Sequence, residues 1–213
     1  MTYFDLKGFR AARARSDPFP HLVMEGFLRP EHHTAVDRDF PEIRQAGSFD
    51  PSSLALGPAM CEALDELRGE AAALAVAEKF GIDLRDRPTT ITLRGQARAK
   101  DGRIHADSKD KLVTLLIYLN PGWAAETGSG CLRLLRSATE IEDYETEVPA
   151  RMGTLVAFPC APNAWHGHLP YVGQRRSIQL NWVVDEGAAE RTRTRHLRSA
   201  LWKRVNPFGH RAN

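Results

Sequence analysis

His105 and Asp107, two positions apart, and His166, sixty-one positions beyond His105, are residue types that together can hold a redox-active divalent metal. Residues two apart in an extended segment point to the same side, so an imidazole nitrogen and a carboxylate oxygen can reach one ion. A second histidine returned by the fold completes three ligands on one face of an octahedron. The opposite face stays open for substrate, cosubstrate or dioxygen, as in non-haem Fe(II) oxygenases. With eight histidines in 213 residues a single His-x-Asp is commonplace, and this pair also suits a surface turn after Lys100-Asp101-Gly102-Arg103. The surrounding elements must decide.

Those elements read as short strands separated by turns. Lys111 to Asn120 is rich in β-branched and aliphatic residues and is closed by Pro121-Gly122. Gly128-Ser129-Gly130 opens a strand from Cys131 to Leu135, Gly153 to Phe158 leads toward His166, and Arg176 to Val184 makes a last strand. Ile91 to Arg94 precedes the His-x-Asp turn. This pattern predicts a β-sandwich or barrel. Met60, Leu64, Leu67, Ala71 and Leu74 repeat at helical steps between Pro58 and Gly81, so one helix should pack across a sheet, with a shorter helix from Pro30 to Phe40. Pro41 to Gly57 reads as a loop of a length used either for lids or for plain linkers.

From about Ile91 to Val184 the chain resembles the 2-oxoglutarate- and Fe(II)-dependent dioxygenases of the prolyl-hydroxylase-like branch, with a weaker echo in Pro18 to Val23 and Gly26 to Leu28. The resemblance implies a double-stranded β-helix (jelly-roll, cupin-like barrel) buttressed by N-terminal helices, mainly β with flanking helices. It puts His105, Asp107 and His166 on the metal positions. It also implies Fe(II), 2-oxoglutarate and O2, with ascorbate as a further candidate. Family members hold the distal carboxylate of 2-oxoglutarate with a basic residue nine or ten positions after the second histidine, where Arg175 and Arg176 stand here. Arg176 shares a strand face with Ile178, Leu180 and Trp182, and Arg175 with Ser177, Gln179 and Asn181. An apolar barrel interior therefore places Arg176 inside as the bidentate carboxylate ligand and Arg175 outside.

Tyr118, in Tyr-Leu-Asn, matches a tyrosine that some members use on the same carboxylate. Arg94, His168 and Trp182 are candidates for the substrate pocket or its supporting layer, against the alternatives of a surface arginine, a rim histidine and a core aromatic. The expected reaction is hydroxylation of an unactivated C–H bond in a small molecule, an amino acid or natural-product intermediate, with release of succinate and CO2. The presence of Asp107, where related halogenases carry a small residue, favours hydroxylation over halogenation. The alternatives are a peptidyl-prolyl or other protein hydroxylase and a non-catalytic, cupin-like metal- or ligand-binding module. His166-Gly167-His168 begins like a cupin metal motif, but Leu169 to Gly173 supplies no glutamate.

Composition bounds the rest. The 213 residues suffice for one catalytic domain: a helical support over 1–87, a jelly-roll core over 88–184, and a basic helix or tail over 185–213. A formal net charge of +2 implies no strong attraction to polyanions. The basic end, Arg191 to Arg211, fits an amphipathic helix packed through Leu197, Leu201 and Val205 better than a nucleic-acid site, and no nucleic-acid partner is expected. No apolar run approaches the roughly 20 residues of a membrane span, and Met1 to Lys7 lacks the pattern of a secretory signal. Three cysteines without metal-site spacing fit reduced thiols and a cytoplasmic location. Oligomeric state has no signature in the sequence.

Overall fold

The computed structural model describes residues 2–124 and 128–205, the last ten as helical backbone. Its centre is a five-stranded antiparallel sheet built from β1 (Leu22–Met24), β2 (Thr89–Ala97), β3 (Lys111–Tyr118), β6 (Leu155–Pro159) and β8 (Gly173–Val183), in the order β1-β6-β3-β8-β2. A three-stranded sheet of β4 (Leu132–Leu135), β5 (Tyr144–Val148) and β7 (His166–Gly167) lies in the order β5-β4-β7. The two sheets form the double-stranded β-helix that the resemblance implies, within the sandwich or barrel class predicted by the strand pattern. Tyr144–Val148 and Leu22–Met24 form two strands that the sequence pattern does not single out.

Helices cover one face of the larger sheet. α1 (Leu6–Ala11) precedes β1, α2 (His33–Asp39), α3 (Pro58–Arg68) and α4 (Glu70–Phe80) lie between β1 and β2, and α5 (Glu186–Val205) follows β8. Met60, Leu64 and Leu67 of α3, each at most 1% exposed, join one core with Leu93 of β2, Leu115 and Ile117 of β3, and Ile178, Leu180 and Trp182 of β8. Burial of this apolar face is the main stabilising force that fixes the sheet against its helices.

The single helix expected from Pro58 to Gly81 is two. Gly69 is extended at ψ 157°, capping α3 and starting α4. The break rotates the second half, so Leu74 faces solvent at 44% exposure while Ala72, Ala75 and Val76 are buried. Gly81, in the left-handed conformation at φ 66°, ends α4.

The segment from Pro41 to Gly57 is laid along the outer edge of β2. Phe49 and Leu93 exchange backbone hydrogen bonds of 2.8 and 2.9 Å, and Ala46 bridges Gln96. An otherwise open strand edge is thereby covered. In α5, Ala188 and Ala189 pack on Val183, and Arg191 pairs with Asp110 at 3.0 Å. Leu197, Leu201 and Val205, expected to dock this helix, lie outside the residues whose side chains are described. Among the described residues no helix is long and apolar enough to cross a membrane.

Candidate active site

The second face of the large sheet is polar where the first is apolar. Register alignment puts Thr114 of β3, Asn181 of β8 and Thr90 of β2 in one row across it, and Tyr118, Ser177 and Arg94 in another, two pleats away. These rows, with β4 and β7 of the smaller sheet, enclose a cavity of about 420 Å3. Leu116, Leu132 and Phe158 supply apolar wall, and His105, Asp107 and His166 sit on its lining.

His105 and His166 are brought together by backbone pairing. Each donates its N–H to the other's carbonyl at 3.0 Å, so His105 extends the smaller sheet beside β7 and the rings meet with centroids 4.3 Å apart. His105 Nδ1 lies 2.8 Å from the Arg103 carbonyl and His166 Nδ1 3.0 Å from the Ala164 carbonyl. A carbonyl can only accept, so both Nδ1 atoms carry the proton and both Nε2 lone pairs are free to bind a metal.

Asp107 completes the group: one ligand atom from each of the three residues lies within 4.8 Å of the others. Lys111 Nζ donates to Asp107 Oδ1 at 2.7 Å and Thr114 Oγ1 to Oδ2 at 2.5 Å. Thr114 Oγ1 also lies 2.8 Å from Asn181 Oδ1, so the carboxylate is held from the floor of the large sheet. Burial alone would raise the Asp107 pKa, but the Lys111 ammonium, His166 and the two hydrogen bonds outweigh it and bring the pKa down to about 2. Burial, reinforced by His105, lowers the His166 pKa to about 4. The carboxylate is thus ionised and the imidazole neutral at neutral pH, the states a metal requires. Two neutral nitrogens and one carboxylate oxygen, gathered on one side of an open cavity, fit Fe(II).

Across the cavity stands Arg175, 6% exposed, whose Nε donates to the Gly130 carbonyl at 2.8 Å and whose Nη2 donates to Tyr118 Oη at 3.0 Å. Burial raises the Tyr118 pKa against the opposing pull of Arg175, so the phenol keeps its proton and can donate it onward. The guanidinium so held can bind a carboxylate.

This corrects the expected choice between the two arginines. Arg176 points to the helical side, where it pairs with Asp37 at 2.5 Å and stacks 5.0 Å from the Phe40 ring. The alternation of β8 is as expected, but its sides are reversed: the apolar set packs against helices, and the polar set, Arg175, Ser177, Gln179 and Asn181, lines the cavity. For the same reason Trp182 is a core residue at 2% exposure and does not reach the site.

Arg94, for which a surface position was the rival reading, lines the cavity beside Arg175 and donates to Ser48 Oγ at 3.0 Å. His168 also lines it, with Nδ1 2.8 Å from the Leu169 carbonyl. His168 is not part of the metal group, as the missing cupin glutamate implied. Gly102, at φ 83°, accepts the His168 backbone N–H at its carbonyl, 2.8 Å away, and a Cβ there would fall 2.3 to 2.4 Å from the His168 ring. Lys111, Thr114 and Asn181 escape sequence reading. For Asn181 the signal was the polar alternation of β8 through Arg175, Ser177 and Gln179, whereas Lys111 and Thr114 have no such pattern in β3.

Residues 95–184 match the family model of the 2OG-Fe(II) oxygenase superfamily. Over this stretch the chain is similar to that superfamily. The fold is similar to that of a prolyl-4-hydroxylase from Pseudomonas putida, at 21% identity and a TM-score of 0.59 over 83% of this chain and 99% of that one. It is also similar to a Trichoplax adhaerens prolyl hydroxylase solved with a hypoxia inducible factor peptide fragment, at 19% identity and TM-score 0.54, covering 80% and 86% of the two chains. A 2OG-Fe(II) oxygenase from Burkholderia pseudomallei, at 12% identity and TM-score 0.54, covers 84% of this chain and 90% of its own. No curated protein matches the sequence. That superfamily's chemistry uses Fe(II), 2-oxoglutarate and O2, and the group of His105, Asp107 and His166 is one that can hold such a metal.

Proposed function

We propose that the protein hydroxylates an unactivated C–H bond of a small molecule, coupled to oxidation of 2-oxoglutarate to succinate and CO2. The observation that carries this is the juxtaposition, in one cavity of about 420 Å3, of the open His105–Asp107–His166 face with the Arg175 guanidinium, which the buried Tyr118 hydroxyl holds from behind. That volume lies toward the small end of ligand pockets, roughly 300–1,000 Å3, and has to hold the cosubstrate as well.

His105 and His166 would hold Fe(II) through Nε2, and Asp107 through a carboxylate oxygen. The bound metal supplies dioxygen activation. Arg175, held by Tyr118 Oη and the Gly130 carbonyl, would bind the distal carboxylate of 2-oxoglutarate. Thr114 and Lys111 hold the Asp107 carboxylate in register. Leu116, Leu132 and Phe158 exclude water from the reacting centre. We read the chain as one unit in which the N-terminal helices brace the large sheet behind this cavity, and its three free thiols support a cytoplasmic setting.

Hydroxylation of a prolyl peptide is the second reading, favoured by the prolyl hydroxylases among the similar folds and by the exposure of His105 at the cavity mouth. Succinate release decides between them when free amino acids are run beside prolyl peptides. Turnover with small molecules alone is expected, and turnover restricted to peptides refutes the first reading. The site itself is tested anaerobically. Fe(II) and 2-oxoglutarate should give a visible charge-transfer band that Asp107→Ala and Arg175→Gln abolish or weaken, and a band indifferent to both would refute this assignment.

A further inference from the structure

Among the described residues Arg94 has no acid to pair with. It projects from β2 into the cavity, and its hydrogen bond from Nε to Ser48 Oγ at 3.0 Å uses one of five N–H groups. Among the described residues no carboxylate lies within ion-pair distance of it. Asp101, which shares the cavity, is taken by Arg98, through the backbone N–H at 2.9 Å and Nη2 at 3.2 Å. Burial and the like charge of Arg175 both depress the Arg94 pKa, so the protein spends electrostatic energy to keep the two guanidiniums together.

The cosubstrate relieves only one of them. In the proposed reading one 2-oxoglutarate carboxylate meets the metal and the other meets Arg175, leaving none for Arg94. The lining as a whole has the same sign. Arg94, Lys100, Arg103, Lys111, Arg175 and Arg195 face the cavity, against the acids Asp101 and Asp107, both already bonded to cations of their own. Such a lining raises the local concentration of anions. Position agrees: Arg94 stands in the row of Tyr118 and Ser177, on the strand beyond β8, and so beside the Arg175–Tyr118 pair.

We propose that the primary substrate is a small molecule bearing its own carboxylate, and that Arg94 is the specificity-determining residue that binds it. The inference rests on the 2-oxoglutarate reading of the site. The carboxylate docks on the Arg94 guanidinium, which Ser48 orients from the segment covering β2. A neutral peptide backbone offers Arg94 carbonyl oxygens but no charge, and leaves the guanidinium uncompensated.

The test is calorimetric and needs no turnover. Protein loaded with Ni(II) and saturating 2-oxoglutarate is titrated with L-proline, L-leucine and N-acetyl-L-proline, each beside its primary amide. Acids should bind at least tenfold more tightly than their amides, and Arg94→Gln should erase the difference while Arg94→Lys retains part of it. Equal binding of acids and amides, a preference that survives in Arg94→Gln, or no acid binding at all overturns the inference. The Fe(II)–2-oxoglutarate band separates the two levels of failure. If it forms but acids are not preferred, the anion inference alone fails, and if it never forms in the parent both fall.

Discussion

Exchanging the neighbouring arginines of β8 one at a time separates the cavity face of the strand from its helical face. Arg175→Gln removes a buried cation that would meet the cosubstrate carboxylate in a site walled by Tyr118 and Gly130. Truncating one partner of a buried, hydrogen-bonded charge pair costs about 2–5 kcal/mol. At 1.4 kcal/mol per decade that is roughly a 30- to 4,000-fold loss of 2-oxoglutarate affinity. Arg176→Gln gives up a half-exposed pair with Asp37 and a contact with the Phe40 ring. Those together are worth about 0.5–2 kcal/mol of folding stability, with no consequence for the cosubstrate. Anaerobic titration of the Fe(II)-loaded variants, followed at the charge-transfer band, gives the affinities, and thermal melts give the stabilities. An Arg176 variant that loses 2-oxoglutarate while the Arg175 variant keeps it would show that the cosubstrate lies on the other face of the sheet, and would refute the whole site.

Thr114→Val removes a donor to Asp107 and a link to Asn181 without touching a metal ligand. Metal affinity should fall about 10- to 100-fold with the fold intact, and an unchanged Ni(II) titration would disprove the positioning role. Leu64→Ala, at 1% exposure between α3 and the sheet, should cost about 2–5 kcal/mol in denaturant unfolding, whereas Leu74→Glu, on the solvent face of α4, should stay within about 0.5 kcal/mol. Equal losses would mean that the helix runs unbroken through Gly69. Gly102→Ala sets a Cβ against the His168 ring in a left-handed backbone and should destabilise by about 1–3 kcal/mol, part of which His168→Ala relieves. A double variant no better than the single would assign the cost to the backbone alone.

The grouping of His105, Asp107 and His166 was legible because the chemistry of a triad fixes residue types, whereas which face of a strand looks into the site is set by tertiary packing. β8 makes the difference plain. Its alternation of Ile178, Leu180 and Trp182 with Arg175, Ser177, Gln179 and Asn181 is visible in the sequence, and the natural inference puts the apolar set inside the barrel. The large sheet, however, is covered on both faces, by α3 and α4 on one and by the cosubstrate cavity on the other, so two interiors compete for the word inside. Hydrophobic burial assigns the apolar set to the helices, leaving the polar set to the chemistry. Arg94 follows the same rule one strand away, in register with Ser177, which is why a residue that reads as a surface arginine stands in the cavity wall. The break at Gly69 was hidden for a different reason. Helical spacing of Met60, Leu64, Leu67, Ala71 and Leu74 continues across a residue whose backbone does not, and glycine in a helix interior costs only about 1 kcal/mol, too little for periodicity to register. In a sheet sandwiched between helices and a polar cavity, a strand's polar alternates are therefore the better guide to the site, and the apolar ones report where the scaffold is fastened.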